Sequence, residues 1–310
     1  MNKTAIVFAG QGAQAVGMGR DLAEAYPECR ALFEKADDVL GYGLSKLCFE
    51  GPAEELTKTR HCQPAIFVVS LAAYTALKRA APGLTVDSMA GLSLGEWSAL
   101  CAAGVLSFED TLRILEARGR FMQDACDQTE GGMISVLGLP ADALRPVCEA
   151  SGLEMANLNS AGQTVLSGPK AGIDKAAELA KAAGAKRCIP LKVAGAYHSS
   201  LMKPAAERLA AVLAGVTFGT PAVPVLANVT GQPHAGGSEA VRDAMLRQVT
   251  SSVRWQACVE WMKADGTNRY VECGPGKVLS GLVKQTHAEA ITVNIENVES
   301  LNAAVAALQA

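Results

Sequence analysis

A serine between two glycines is the feature that most restricts how this chain can fold. The segment GLSLG at residues 91–95 lies between an apolar strand-like run, residues 85–90, and a helix-like run, residues 94–103. A sharp turn from strand to helix needs residues without a Cβ, and it strains the serine backbone. We therefore predict a nucleophile elbow that exposes Ser93 at a helix N-terminus, where developing negative charge is stabilised. The alternative is a tight turn in which the serine only caps the helix.

Length and composition fit an α/β enzyme that does not bind nucleic acid. The 310 residues can form one large or two smaller domains, and 49% of them are apolar. A net charge of −3, with no run of Lys and Arg, argues against nucleic acid as a partner. No apolar run is long enough to cross a bilayer, and no cleavable signal pattern precedes the first strand-like run. We therefore expect a cytoplasmic protein with no membrane partner.

The nine cysteines are odd in number and scattered, and no two of them form a C-x-x-C pair. This spacing predicts neither a disulfide framework nor a zinc site. We expect most of the cysteines to be small buried apolar residues, and we expect no bound metal.

A glycine-rich turn follows the first strand-like run, residues 4–9. It reads GQGAQ at residues 10–14 and precedes a helix-like run. A dinucleotide site would have a third glycine where Ala15 stands, and no clear acidic partner for a ribose follows at the expected distance. Such a loop can instead present backbone N–H groups at a site, so Gln11 becomes a candidate binding residue.

The order of predicted elements favours an α/β-hydrolase-like core with a mostly parallel sheet and a small inserted unit. Residues 131–194 read as βαββαβ, which is typical of a ferredoxin-like module. Strands alternate with helices on both sides of this unit, including a buried helix at residues 65–80 and a strand at residues 223–228. We therefore predict a large subdomain from residues 1–130 and 195–310, a small ferredoxin-like subdomain from residues 131–194, and a site in the cleft between them.

Four histidines are candidate bases for Ser93, which needs one because serine is a weak nucleophile at neutral pH. His61, His234 and His287 lie in polar or turn-like stretches, which predicts surface loops. His198 instead lies among small and aromatic residues where the chain leaves the inserted unit. We therefore take His198 as the candidate base, with a buried structural histidine as the alternative.

Seven short motifs fall in the order and spacing of malonyl-CoA:acyl carrier protein transacylases, a family that the whole chain resembles. They are GQGAQ at 10–14, QPA at 63–65, GLSLGE at 91–96, RGRFMQ at 118–123, NLNS at 157–160, GAYHS at 195–199 and ECGPG at 272–276. The resemblance implies two-step acyl transfer for fatty acid biosynthesis. Ser93, with His198 as base, would attack the malonyl-CoA thioester, and the thiol of acyl carrier protein would then attack the resulting ester. We expect a monomer that needs no cofactor, since malonyl-CoA is a substrate.

The same resemblance implies roles for further residues. Backbone N–H groups of Gln11 and Leu94 would form the oxyanion hole, and a backbone carbonyl at Gln248 would orient the histidine in place of a carboxylate. Arg118 would bind the free malonyl carboxylate, because a guanidinium offers it two parallel hydrogen bonds. The alternative for Arg118 is a solvated helical face. The acyl pocket would include Met122, Tyr197 and Gln63.

Two residues depart from the family pattern. Leu92 replaces the histidine that usually precedes the nucleophile, so any polar support from that side chain is missing. Tyr197 replaces the phenylalanine that usually precedes the catalytic histidine. Its ring keeps the bulk that excludes an α-methyl branch, so we expect malonyl to be preferred over methylmalonyl.

Three other interpretations remain open at the level of sequence. Leu92 fits a relative that supplies a polyketide or polyunsaturated fatty acid synthase. An esterase or thioesterase of the α/β-hydrolase type would share the elbow but needs an acidic residue between the serine and the histidine. A non-catalytic binding module for acyl carrier protein would have no use for both Ser93 and His198. An acidic carrier protein needs basic residues to bind to, and the candidates are Lys186, Arg187 and Lys192. The alternative is that these three residues form a solvated strand edge.

Overall fold

Helices and strands alternate along most of the chain in a computed structural model that describes residues 2–309. The strands are β1 (Lys3–Phe8), β2 (Ser88–Gly91), β3 (Gly131–Leu137), β4 (Glu154–Ser160), β5 (Gln163–Pro169), β6 (Arg187–Pro190), β7 (Leu226–Ala227), β8 (Gln232–Pro233), β9 (Thr267–Cys273) and β10 (Ile291–Ile295). The helices before β3 are α1 (Arg20–Ala25), α2 (Pro27–Leu40), α3 (Leu44–Glu50), α4 (Ala53–Thr57), α5 (Thr59–Ala80), α6 (Leu94–Ala102) and α7 (Phe108–Gln128). Those after β3 are α8 (Arg145–Ser151), α9 (Ile173–Ala182), α10 (Lys203–Ala214), α11 (Gly237–Gln248), α12 (Trp255–Ala264), α13 (Val278–Thr286) and α14 (Val298–Gln309).

A parallel sheet lies at the centre of the molecule. Its strand order is β10-β9-β1-β2, and every neighbouring pair is parallel. Side chains of β1 alternate between two apolar clusters, since Ile6 and Phe8 belong to one and Ala5 and Val7 to the other. Both faces of the sheet are therefore covered, and the predicted α/β fold with a mostly parallel sheet is confirmed.

Residues 131–190 form a second, antiparallel sheet. Its strand order is β4-β5-β3-β6. Apolar residues of β3, including Ile134 and Val136, pack with helices α8 and α9 in a cluster of their own. Strand β4 joins this sheet to the rest of the chain, because the N–H of Leu158 donates to the carbonyl of Val253 at 2.9 Å. Strand β4 therefore supplies a backbone link between the two parts of the molecule, and Met133 of β3 also packs into the larger apolar cluster.

Helix α5 begins earlier than the sequence predicts. We expected a start at Ala65, after the proline, whereas the helix begins at Thr59 and contains Pro64. Proline has no N–H to donate to the carbonyl four residues earlier, which here belongs to Arg60 in the first helical turn. The missing bond therefore lies close to the helix end, where the first turn still forms.

The strand predicted for residues 223–228 is much shorter in the structure. Only Leu226–Ala227 forms strand β7, which pairs with β8 in an antiparallel hairpin. Val225 instead makes an isolated parallel bridge to Met89 of β2. The hairpin therefore lies beside the end of β2 and brings Asn228 to the turn that follows that strand.

Three further features bear on the class of protein. All nine cysteines are free thiols, and six of them are buried. Within residues 2–309, no group of three or more His, Cys, Asp or Glu side chains is arranged to hold a metal ion. No helix in that part of the chain has both the length and the apolar character needed to span a membrane.

Candidate active site

Ser93 lies in the turn that joins strand β2 to helix α6. A Cβ added to Gly91 would lie 2.0 Å from the carbonyl carbon of Gly95. A Cβ added to Gly95 would lie 2.2 Å from the carbonyl oxygen of Phe8 in β1. No side chain fits at these distances, so both glycines are required for the close approach of strand and helix.

Ser93 and His198 both have a positive backbone φ, which is uncommon for residues other than glycine. Their φ angles are 56° and 57°, and within residues 2–309 no other non-glycine residue has a positive φ. Such a conformation costs about 1–3 kcal/mol and persists only where the surrounding structure holds it. The two side chains contact each other, with the Oγ of Ser93 2.8 Å from the Nε2 of His198. Both strained residues therefore belong to one site.

His198 is held through its second ring nitrogen. Its Nδ1 donates to the backbone carbonyl of Gln248 at 2.9 Å, which leaves Nε2 as an acceptor for the hydroxyl of Ser93. The residue is 4% exposed. Burial and the nearby Arg118 cation lower the pKa of His198 from 6.5 to about 4. At neutral pH the imidazole is therefore uncharged and can accept a proton.

The guanidinium of Arg118 is buried beside Ser93. One of its terminal nitrogens donates to the Oε1 of Gln63 at 2.7 Å, and the other donates to the Oγ of Ser93 at 3.1 Å and to the Oε1 of Gln248 at 3.2 Å. Burial lowers the pKa of Arg118 to about 10 against the opposing effect of Glu96, so the group stays charged at neutral pH. The predicted alternative of a solvated helical face is wrong, since the residue is 1% exposed.

No carboxylate neutralises Arg118 through a direct ion pair in the described part of the chain. Its Nε is buried and has no hydrogen-bond partner there. The three acceptors that do face the guanidinium, on Gln63, Ser93 and Gln248, are uncharged, so they satisfy its N–H groups without neutralising its charge. The site is therefore suited to a ligand that carries a negative charge.

A buried polar network lies behind the elbow. The Oδ1 of Asn228 accepts from the N–H of Ser93 at 2.7 Å, and its Nδ2 donates to the carbonyl of Gly91 at 2.8 Å. The Nε2 of Gln248 donates to the carbonyl of Ser93 at 2.9 Å and to Glu96 at 2.6 Å. Sequence reasoning missed these side-chain contacts. Glu96 was visible as the last residue of the elbow motif, whereas nothing in the sequence near Asn228 marked it.

A cavity of about 400 Å³ opens onto Ser93 and His198 between the central and antiparallel sheets. Met122 and Tyr197 line it, whereas Gln63 is not among the lining residues and instead accepts a hydrogen bond from Arg118. The volume is in the range of small-ligand sites. The lining also includes Gln11, Leu92, Asn157 and Lys192.

Two backbone N–H groups lie at the ends of elements around Ser93. Leu94 is the first residue of α6, so its N–H has no partner within the helix. Gln11 follows β1, and its side-chain Nε2 lies 3.5 Å from the hydroxyl of Tyr197. Neither backbone N–H donates to an acceptor among residues 2–309.

The other three histidines are not surface loop residues, and that prediction was wrong. His61 lies in helix α5 with its side chain 18% exposed. The side chain of His234 is 2% exposed, and the residue His287 is 8% exposed. The segments that carry His234 and His287 fold back onto the core, which local polarity does not indicate. None of the three contacts Ser93.

Comparison with known proteins identifies the family. The acyl transferase domain family matches residues 5–307. The chain belongs to this family. The resemblance inferred from the seven motifs is therefore confirmed, and the protein is an acyltransferase.

Relatives of this acyltransferase match it over nearly their whole length. The malonyl CoA-acyl carrier protein transacylase of Haemophilus influenzae is 45% identical over 307 residues, which are 98% of each chain. An acyl-carrier-protein-S-malonyltransferase from Bartonella henselae is 39% identical with a TM-score of 0.93, covering 99% of this chain and 100% of that one. A further solved structure holds a type II PKS acyl-carrier protein in complex with its malonyl-transacylase. The matched chain of that structure is 40% identical to this chain with a TM-score of 0.94, and the match covers 99% of this chain and 100% of that one.

Proposed function

We propose that this acyltransferase moves a malonyl group from malonyl-CoA to the phosphopantetheine thiol of acyl carrier protein in fatty acid biosynthesis. The observation that carries the proposal is the position of Arg118, a buried guanidinium 3.1 Å from the Oγ of Ser93. A malonyl thioester has a free carboxylate two carbons from its reacting carbonyl. One site can therefore hold the carboxylate on Arg118 while Ser93 meets the carbonyl carbon.

In the first half-reaction, we propose, Ser93 is the nucleophile and His198 the general base. The Nε2 of His198 takes the proton of the hydroxyl as Oγ attacks the carbonyl carbon. The C–S bond then breaks, and the sulfur of CoA leaves with the proton from His198. A malonyl ester of Ser93 remains. The hydrogen bond between the two side chains, at 2.8 Å, supports these roles.

In the second half-reaction, the pantetheine thiol of the carrier protein replaces CoA. His198 takes the thiol proton, the sulfur attacks the ester carbonyl, and the C–O bond to Ser93 breaks. The proton returns from His198 to the Oγ of Ser93, so the enzyme is restored. The same two side chains thus serve both directions of proton transfer, and no cofactor is required.

Three groups support these steps in the proposed mechanism. The backbone N–H groups of Gln11 and Leu94 form the oxyanion hole, a role worth about 3 to 4 kcal/mol per donor in other acyl-transfer enzymes. Their lack of a partner among the described residues supports this role. The backbone carbonyl of Gln248 orients His198, in keeping with their distance of 2.9 Å.

The acyl pocket and the carrier-protein surface are also proposals. Met122 and Tyr197 would surround the malonyl group, while Gln63 would hold Arg118 in place, and the ring of Tyr197 would exclude an α-methyl branch. The hydroxyl of Tyr197, 2.7 Å from that of Thr59, supports a fixed position for this ring. The acidic carrier protein would meet Lys192, which lines the cavity, together with Lys186 and Arg187 earlier on the same segment. We propose that the enzyme acts as a monomer.

We further propose that residues 131–194 are a ferredoxin-like subdomain inserted in an α/β-hydrolase-like core of residues 1–130 and 195–310. The antiparallel strand order β4-β5-β3-β6 supports this division. The separate apolar cluster under that sheet supports it as well. The cavity between the two parts would then be the entrance for both thioesters.

Intact-protein mass spectrometry with malonyl-CoA tests the proposed function. We expect the wild-type chain to gain the mass of one malonyl group and to lose it when acyl carrier protein is added. Ser93→Ala is expected to gain nothing, because the nucleophile is missing. An adduct on Ser93→Ala would contradict the mechanism. Rapid release of free malonate without carrier protein would favour the thioesterase alternative.

Arg118→Ala tests the selectivity of the same site. We expect malonyl transfer to fall about a hundredfold and acetyl transfer far less, because only malonyl loses a charged hydrogen-bonded partner. The measurement is the single-turnover rate of Ser93 acylation by malonyl-CoA and by acetyl-CoA. Arg113→Ala is the matched control, an exposed arginine on the same helix α7. Equal losses for both acyl groups would remove the carboxylate role from Arg118.

A further inference from the structure

Glu96 is a buried carboxylate close to the reacting groups, and it faces a histidine. The residue is 1% exposed. Its Oε1 accepts from the Nε2 of His234 at 2.7 Å. Its Oε2 accepts from the Nε2 of Gln248 at 2.6 Å and from the N–H of Asn228 at 3.1 Å. Both oxygens therefore have donors, as a buried carboxylate requires.

Gln248 is the residue at which this network reaches the proposed catalytic groups. Its backbone carbonyl accepts from His198, its Nε2 donates to the carbonyl of Ser93, and its Oε1 accepts from Arg118. The orientation of its amide group is fixed from both sides. A carboxylate only accepts and a guanidinium only donates, so Nε2 must face Glu96 and Oε1 must face Arg118. A displaced Glu96 would therefore disturb all of these contacts together.

His234 contacts the Glu96 oxygen that Gln248 and Asn228 leave free. It follows strand β8, and its backbone N–H donates to the carbonyl of Val225 at 2.8 Å, which ties it to the central part of the fold. The side chain is 2% exposed. It supplies the single donor to the Oε1 of Glu96 among the described residues. Without it, this buried carboxylate oxygen would have no donor.

We propose that His234 is a positioning residue of the acyl transfer site, which acts through Glu96 and Gln248. Leu92 immediately precedes Ser93, and its apolar side chain packs against a buried cluster and offers no hydrogen bond. Polar support for the elbow comes instead from His234, far along the chain. The inference rests on the proposed roles of Ser93 and His198, and it adds a residue that touches neither substrate nor the reacting atoms.

Two substitutions separate the hydrogen bond of His234 from its packing. His234→Leu still fills the buried space with a side chain but removes the N–H donor. His234→Gln places an amide N–H about as far from the backbone as the Nε2 of histidine. We expect the single-turnover rate of Ser93 acylation by malonyl-CoA to fall about tenfold in His234→Leu and to stay within about threefold of wild type in His234→Gln. The preference for malonyl over acetyl should fall in His234→Leu too, because Gln248 also holds Arg118.

A fluorophosphonate reagent provides a second measurement that does not depend on malonyl-CoA. The reagent labels a reactive serine. The final fraction of labelled protein gives the number of intact sites, and the rate of labelling measures the nucleophilicity of Ser93. His287→Leu is the matched control, since His287 is a buried histidine that contacts Tyr270 and not the site. We expect His287→Leu to lower the thermal midpoint and leave both rates per intact site unchanged.

The proposal is overturned if His234→Leu has a lower thermal midpoint but unchanged rates of acylation and of fluorophosphonate labelling per intact site. His234 would then only stabilise the fold. A wild type that gains no malonyl group, together with slower fluorophosphonate labelling in His234→Leu, would refute the malonyl transfer but support the positioning role. If His234→Leu does not fold, His234→Asn replaces it, because its amide is too short to reach Glu96. Equal rates in His234→Asn and His234→Gln would then overturn the proposal.

Discussion

The turn around Ser93 and the loop around His198 each hold a residue with a positive φ, and they do so by different means. At Ser93, two glycines let strand β2 and helix α6 pass so closely that the turn is set by local sequence. At His198, the ring is fixed by a hydrogen bond to the carbonyl of Gln248, which lies 50 residues further along the chain. The first arrangement has a local sequence signature, and the second depends on how distant elements pack.

This difference explains how the two regions should respond to substitution. The elbow depends on space, because the missing Cβ atoms allow backbone to approach backbone. The base depends on its surroundings, because burial and the Arg118 cation together keep its imidazole neutral. A small added group should therefore destroy the elbow, whereas a change of charge or pH should act first on His198.

The largest effect is expected for Gly95→Ala. The added Cβ would lie 2.2 Å from the carbonyl oxygen of Phe8, so helix α6 must move away from β1 and take the backbone N–H of Leu94 with it. We expect acylation of Ser93 to fall more than about a thousandfold, since even a displacement near 1 Å costs about a hundredfold. Single-turnover mass spectrometry with malonyl-CoA measures the loss.

Gly281→Ala is the control for this prediction. Gly281 lies in helix α13, and a Cβ there would meet nothing within 4 Å. Alanine favours a helix over glycine by about 1 kcal/mol, so this variant should keep full activity and unfold at a slightly higher temperature. Near-normal acylation in Gly95→Ala would show that the elbow tolerates a wider turn, and the contrast with His198 would then fail.

Local sequence was sufficient for those parts of the molecule that neighbouring residues determine. The parallel sheet followed from apolar strands alternating with helices, and the elbow from two glycines at fixed spacing. The small and aromatic surroundings of His198 made it the candidate base for Ser93, and the family resemblance implied the same pairing; the two side chains lie 2.8 Å apart. Arg118 shows the limit of local reasoning, because its helix also carries exposed arginines and only packing buries this one.

The polar network behind the elbow could not be predicted from the sequence. Asn228 and His234 lie in a short hairpin that we expected to contain a longer strand, and His234 looked like a surface residue. Their contacts with Ser93 and Glu96 join segments more than a hundred residues apart. Such contacts depend on the complete fold, so no periodicity or spacing within one segment indicates them.

The smallest effect concerns the pH dependence of His198. A base must be neutral to accept a proton, and burial together with Arg118 lowers the pKa of His198 to about 4. We therefore expect fluorophosphonate labelling of Ser93 to keep a constant rate from about pH 8 to about pH 5 and to fall below that. In Arg118→Met the midpoint should rise but stay below 6.5, because burial, the larger cause, remains.

Acid also weakens the fold through the same histidine, so labelling has to be measured on folded protein. The unfolded chain takes up a proton on this imidazole near pH 6.5, whereas the folded chain does so only near pH 4. The unfolded state therefore binds more protons between these values, and stability falls as the pH is lowered through that window. Circular dichroism at each pH shows which points remain native. A wild-type midpoint near 6.5 in native protein would mean that the ring is solvated, and the contrast with the elbow would then rest on the glycines alone.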